Sequence, residues 1–232
     1  MLFGYSCQIF ADFAGYSLIA IGLAKLLGFD LIQNFNFPYI SISFSEFWRR
    51  WHISLSTFLK EYLYIPLGGN KKGNIRTYAN LMITMILGGL WHGAAWSYLV
   101  WGAFHGSALA VERFVGQVTK PVKQTILLKI AKGFMVFGFV TLAWLLFKLP
   151  HFEYAIEYLK FIGKNKSVSN EYIMLFLITM YSLPVILFHL FYVFKVNQTE
   201  LFYKYQYLLY GFLLFMIIVN SGPSGSFIYF QF

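Results

Sequence analysis

Residues 77–111 form a run of 35 residues without a single Lys, Arg, Asp or Glu. A helix needs about 20 apolar residues to cross a bilayer, so this run is too long for one crossing. Near its middle, the sequence GGLWHGAAW (residues 88–96) places His92 among glycines and between two tryptophans. Because glycine weakens a helix, we predict two helices that meet near His92.

The composition of the chain is that of a membrane protein. Hydrophobic residues make up 59% of its 232 residues and charged residues only 12%, whereas soluble domains carry about 25% charged residues. Other apolar runs predict membrane helices at residues 1–27, 126–147, 172–194 and 205–219. We therefore predict an all-α, polytopic membrane protein in which residues 1–232 form a single membrane-embedded domain.

The basic residues lie in short connections between the apolar runs. Lys and Arg outnumber Asp and Glu by 18 to 9, but they form no continuous stripe, so we expect no nucleic-acid binding. Their positions suit loops that face anionic headgroups on the cytoplasmic side of a membrane. Cys7 is the only cysteine, so we expect neither an intrachain disulfide nor a Cys-rich metal site.

A second aromatic segment precedes the uncharged run. Ser43 followed by Glu46 matches a capping box and predicts a helix that starts near Phe44. We expect this helix to lie in the membrane interface or to dip from it, since tryptophan and arginine are typical of headgroup depth. One face of the predicted helix carries Trp48, Trp51, His52, Leu55 and Leu59.

His92 is the first candidate for chemistry. Ionisable groups inside a membrane are costly and usually functional, and Trp91 and Trp96 are placed to wall a pocket around it. A buried imidazole stays neutral and can accept a proton as a general base. The structural alternative for His92 is a core histidine bonded to a carbonyl group, and the alternative for the second candidate, His52, is a residue of the interfacial aromatic belt.

The remaining ionisable groups form no recognisable catalytic motif. Neither candidate histidine has a carboxylate or histidine at helical spacing, and His105 is no better placed, so we predict no metal site. We interpret His151 and His189 as structural, and Asp12 as an anchor that needs a polar partner. A neutral base without a nucleophilic serine or cysteine motif indicates direct transfer of an activated acyl group to a hydroxyl.

Two segments carry a resemblance to a known family. FSEFWRRWHISLSTFLKEYLYIPLGGNKKG and NLMITMILGGLWHGAAWSYLVWGAFHG resemble the membrane-bound O-acyltransferases, in the branch of bacterial alginate O-acetyltransferases and their D-alanyl-lipoteichoic-acid relatives. QIFADFAGYSLIAIGLAKLLGF, FVTLAWLLFKLPHFEYAIEYLKFIG and FIYFQF look like the same branch, so the similarity covers nearly the whole chain.

The resemblance implies a multi-helix bundle in which a funnel on the outer face and a narrow passage from the cytoplasm meet at His92. It also implies that His92 is catalytic and that His52 is the second family histidine. The family's proteins are about twice this length, so we expect this chain to lack their N-terminal helices. We expect four tryptophans to bind substrate or line the tunnel: Trp48, Trp51, Trp91 and Trp96.

The resemblance further implies that no cofactor is bound, because the acyl donor, such as acetyl-CoA or an acyl carrier, arrives from the cytoplasm as a substrate. The implied partners are membrane lipid, a polysaccharide acceptor and an extracytoplasmic esterase-like acyltransferase, and the implied location is the cytoplasmic (inner) membrane.

The predicted function is therefore O-acetylation of a cell-surface polysaccharide such as alginate, with His92 as general base and His52 in support. D-alanyl transfer to teichoic acid is the alternative within the family. Two alternatives come from other classes: a transporter segment that relays protons through His92, and a non-catalytic scaffold for a partner.

Overall fold

The computed structural model describes residues 2–120, 123–149, 151–162, 164, 171–195 and 199–219. Every regular element among these residues is a helix, which confirms the predicted all-α class. The α-helices in this part of the chain are α1 (Leu2–Leu26), α2 (Phe44–Arg50), α3 (Ile53–Leu59), α4 (Gly73–Trp91), α5 (Trp96–Val118), α6 (Ile126–Lys148), α7 (Phe152–Phe161), α8 (Glu171–Val193) and α9 (Glu200–Val219). A 3₁₀ turn (Pro38–Ile40) precedes α2, and a π-helical turn (Lys60–Tyr64) follows α3.

Three helices within the described residues are long and apolar enough to cross a membrane. They are α1, α6 and the Tyr172–Val193 part of α8, and they coincide with three of the predicted apolar runs. The fourth run, at residues 205–219, lies within α9. A polar contact joins α1 to α6, where Ser6 Oγ donates to Thr141 Oγ1 at 3.0 Å.

Helices α4 and α5 form an antiparallel hairpin that closes at residues 92–95, so the prediction of two helices meeting near His92 is confirmed. At its open end the hydroxyl of Tyr78 donates to Gln117 Oε1 at 3.0 Å. Near its closed end Gly89 of α4 and Gly102 of α5 let the backbones touch. A Cβ added to Gly102 would lie 2.3 Å from the carbonyl oxygen of Met85. Small residues are what such close helix contacts require in membranes.

Helix α2 begins at Phe44, as the capping box predicts. Ser43 Oγ accepts a hydrogen bond from the backbone N–H of Glu46 at 3.0 Å. The Glu46 carboxylate in turn accepts from the backbone N–H of Ile42 at 3.0 Å and pairs with Arg50 at 2.9 Å. These contacts satisfy donors that a helix start leaves without partners.

The prediction that one helix runs through Trp51 and His52 is wrong. Helix α2 ends at Arg50 and α3 begins at Ile53, and His52 between them adopts a left-handed backbone with φ of 43°. The five side chains predicted for one helix face are therefore divided between two helices and a sharp turn.

The physical reason for this break is the segment that precedes the 3₁₀ turn. The backbone N–H of Asn36 donates to the carbonyl of Arg50 at 3.0 Å, and the backbone N–H of Ile53 donates to the carbonyl of Asn34 at 3.0 Å. Because these bonds satisfy the end of one helix and the start of the next, the chain can turn between them without leaving buried groups unpaired.

The α2–α3 turn packs into an aromatic core shared with α1, α5 and α6. Trp51 is 4% exposed and lies 4.9 Å, between ring centroids, from both Phe35 and Trp144. Trp101 of α5 stacks on Trp144 at 6.0 Å. Rings at these separations add specific edge and face contacts to the burial of apolar area, and they fix the turn relative to the hairpin.

Candidate active site

A small cavity lies where α1, the α2–α3 turn, the α4–α5 hairpin and α6 meet. The cavity has a volume of about 20 Å³, which is room for roughly one water. Both candidate histidines lie on it, so the structure brings together two residues that are 40 positions apart in the chain. The lining consists of Ile9, Phe13, Trp48, Trp51, His52, Leu55, His92, Trp101, Trp144 and Phe147.

The imidazole of His52 contacts Ser54 and Phe13. Its Nδ1 lies 3.4 Å from Ser54 Oγ, and its ring meets Phe13 of α1 edge-on at 4.7 Å. Its Nε2 is buried and has no hydrogen-bond partner among the described residues. His52 has a left-handed backbone, and its ring lines the cavity.

His92 directly follows Trp91, the last residue of α4, and caps that helix. Its backbone N–H donates to the carbonyl of Gly89 at 3.0 Å, so the last turn of the helix tightens at this point. Its ring packs edge-on against Trp101 at 5.5 Å and Phe147 at 5.0 Å. The ring is partly buried, as is that of His52.

Burial favours the neutral form of both imidazoles. They lie in connections between helices, outside the three candidate spans. Burial lowers the pKa of His92 to about 4. Burial, and secondarily the neighbouring His92, lowers the pKa of His52 to about 4. No carboxylate lines the described cavity, so nothing there offsets the cost of a charged ring.

The four predicted tryptophans divide into two pairs. Trp48 and Trp51 line the cavity, and Trp51 is almost fully buried. Trp91 is 58% exposed and contacts His52 and His92 from outside, at centroid distances of 6.4 and 5.1 Å. Trp96 is 74% exposed and lies outside the cavity lining.

The other histidines occupy different environments. His105 is 1% exposed and packs among aromatic rings, 4.8 Å from Trp101. His189 is 5% exposed and its Nδ1 lies 2.8 Å from the carbonyl of Val185, one turn earlier on α8. His151 is exposed at the start of α7. The described residues contain no group of three or more His, Cys, Asp or Glu side chains that could hold a metal ion.

Half of the cavity wall is not identified by the sequence patterns. Phe13 comes from α1, Trp101 from α5, and Trp144 and Phe147 from α6. The patterns also missed Asn34, whose side chain meets Ser54 across 20 residues of chain. Periodicity within one helix cannot place residues from three helices on one cavity, so no local signal identified them.

These features define a membrane protein, helical throughout its described elements, with two buried imidazoles on one aromatic cavity. The sequence profile of the membrane-bound O-acyltransferase family matches residues 1–155. Over 151 residues the chain is 50% identical to a probable alginate O-acetylase of Pseudomonas putida, an alignment that covers 65% of this chain and 30% of that protein.

Two further relatives act on other polymers, by their names. A peptidoglycan O-acetyltransferase of Helicobacter pylori is 44% identical over 162 residues, covering 69% of this chain and 31% of that protein. A teichoic acid D-alanyltransferase of Streptococcus thermophilus is 38% identical over 118 residues, covering 48% and 28% respectively. The chain thus matches about 30% of the length of these relatives. It belongs to the membrane-bound O-acyltransferase family.

Proposed function

We propose that this protein is an O-acyltransferase of the cytoplasmic membrane that transfers an acetyl group in the O-acetylation of a cell-surface polysaccharide. The observation that carries the proposal is the cavity shared by His52 and His92. Burial favours the unprotonated form of both rings, which leaves a ring nitrogen free to take the proton of a hydroxyl during the transfer.

The reaction needs one proton acceptor and an activated acyl group. His92 removes the proton of the acceptor hydroxyl. The oxygen of that hydroxyl attacks the carbonyl carbon of a thioester such as acetyl-CoA or an acylated carrier. The C–S bond then breaks, and the proton on His92 passes to the leaving sulfur, so the products are an ester and a free thiol. The small, aromatic-lined space around both rings keeps bulk water from competing for the acyl group.

Acetyl is favoured over D-alanyl as the acyl group by the relatives. The probable alginate O-acetylase and the peptidoglycan O-acetyltransferase match 65% and 69% of this chain, whereas the D-alanyltransferase from S. thermophilus matches 48%. An extracytoplasmic esterase-like partner that receives the acyl group is part of the same proposal, since both reactants then meet at the membrane from opposite sides.

The test is a His92→Ala replacement in the cell that produces the protein, followed by alkaline release of esters from the surface polysaccharide. We expect acetate release to fall by at least about 100-fold, the typical contribution of a positioned base. His151→Ala is the matched control, because His151 is exposed at the start of α7. Immunoblots of the membrane fraction check that each variant inserts.

The outcomes separate the rival functions. Loss of ester-linked D-alanine in place of acetate would move the assignment to teichoic acid. Unchanged polymer esters with a stable His92→Ala protein would overturn an enzymatic role and favour a scaffold. Altered proton flux in vesicles with unchanged esters would favour a transporter.

A further inference from the structure

Contacts among three residues, Asn34, Ser54 and His52, bear on which nitrogen of the His52 ring carries its hydrogen. We propose that Asn34 and Ser54 are positioning residues that hold His52 with Nδ1 protonated and Nε2 free, so that Nε2 accepts a hydrogen bond from a hydroxyl of the incoming acceptor. This inference rests on the proposed acyl transfer for its function, but the protonation itself is independent of that reaction.

The backbone N–H of Ser54 fixes the orientation of the Asn34 side chain. The backbone N–H of Ser54 can only donate, and it donates to the side chain of Asn34 at 3.1 Å. The atom of Asn34 that faces Ser54 is therefore the amide oxygen Oδ1, which can only accept. This orientation follows from the backbone, without reference to the histidine.

The hydroxyl of Ser54 is fixed next. Its Oγ lies 2.6 Å from the same Oδ1 of Asn34, so the single hydroxyl hydrogen points to that oxygen. Toward His52 the hydroxyl can then only accept. Since its Oγ lies 3.4 Å from Nδ1 of His52, the hydrogen of the neutral ring belongs on Nδ1.

The opposite edge of the ring is left as an acceptor. Nε2 of His52 is buried, has no partner among the described residues, and belongs to a ring that lines the cavity with His92. An unprotonated imidazole nitrogen cannot stabilise an oxyanion, but it can orient an O–H group. An acceptor group held at His52 therefore lies in the same cavity as His92.

Asn34 also supports the backbone at this site. Its carbonyl accepts from the N–H of Ile53 while its side chain accepts from the N–H of Ser54, so it caps the start of α3 from a distant segment. His52, the residue at the cap position, makes no side-chain cap of its own. Because Asn34 accepts from these N–H groups, the His52 side chain is not needed as a helix cap, and its ring lines the cavity.

The direct test is ¹⁵N NMR of the full chain in detergent or nanodiscs with ¹⁵N-labelled histidine. The chain has five histidines, and the His52 signals are identified by their loss in His52→Gln. We expect a protonated Nδ1 and an unprotonated Nε2 in the wild type, a mixture of both tautomers in Ser54→Ala, and the wild-type pattern in Ser54→Thr. Ser56→Ala is the matched control, because the Ser56 hydroxyl donates to the carbonyl of Trp51 at 3.1 Å.

The functional arm uses the same variants in cells. Loss of one positioning hydrogen bond, worth about 1 kcal/mol, should lower polysaccharide acetylation in Ser54→Ala by about fivefold to tenfold, and Ser54→Thr should restore it. A wild-type spectrum with Nε2 protonated, or one unaffected by Ser54→Ala, overturns the assignment. The expected spectra with full acetylation in Ser54→Ala overturn the positioning role alone, while the proposed function stands or falls with His92→Ala.

Discussion

The carboxylate of Glu112, on α5, accepts a hydrogen bond from the backbone N–H of Phe44, the first residue of α2, at 2.5 Å. Its second oxygen accepts from the N–H of Ser45 at 3.1 Å. An acidic group at a helix start satisfies free N–H donors and complements the helix dipole. This relationship ties the segment that carries Trp48 and His52 to the hairpin that carries His92.

Replacing Glu112 by alanine should therefore destabilise the protein. Two N–H groups lose a charged acceptor, and the loss of a helix cap costs about 1–2 kcal/mol. The measurement is thermal unfolding of the purified protein in detergent, with Glu61→Ala as control because Glu61 is exposed in the π-helical turn. Equal unfolding temperatures for the two variants would show that the contact adds no stability.

The contact between α4 and α5 predicts different effects on stability for two Gly→Ala changes in α5. In Gly102→Ala the new Cβ would lie 2.3 Å from the carbonyl oxygen of Met85, so the hairpin must separate. In Gly116→Ala no atom lies within 4 Å of the new Cβ, and alanine stabilises a helix by about 0.5–1 kcal/mol relative to glycine. Unfolding temperatures should fall for the first and be unchanged or rise for the second. A tolerated Gly102→Ala would disprove the close approach.

Because the backbone of His52 is left-handed, two substitutions can distinguish its structural role from its chemical role. Asparagine adopts this conformation readily, whereas a β-branched residue such as valine is strained there by about 1–2 kcal/mol. Both His52→Asn and His52→Val should lose polysaccharide acetylation, but only His52→Val should also lose thermal stability. If the two variants unfold at the same temperature, the turn does not require a positive φ.

The hydrogen bonds of Asn80 predict that the loop carrying Lys71 and Lys72 is protected from proteolysis. Its side-chain amide is fully buried and donates to the carbonyls of Leu67 and Gly69 at 3.3 and 2.9 Å, which holds the loop against α4. Asn80→Ala should release the loop, so that trypsin cleaves faster after Lys71 or Lys72. Asn74→Ala is the control, since the Asn74 side chain contacts Gln117 instead. Equal cleavage rates would show that Asn80 does not anchor the loop.

The sequence alone determined the long apolar helices, the start of α2 and where the hairpin turns. Apolar runs fixed α1, α6 and α8, the glycines around His92 placed the end of α4, and the Ser43–Glu46 pair placed the start of α2. These features depend on neighbours within a few residues, so the local pattern contains the information.

Only the tertiary structure decided the break at His52, the division of the four tryptophans and the composition of the cavity. The break depends on Asn34 and Asn36, and the placement of α2 depends on Glu112, 68 residues further along the chain. A backbone group accepts the partner that folding brings to it, and no periodicity in the sequence encodes that meeting. The cavity between His52 and His92 therefore exists only once several helices have packed together.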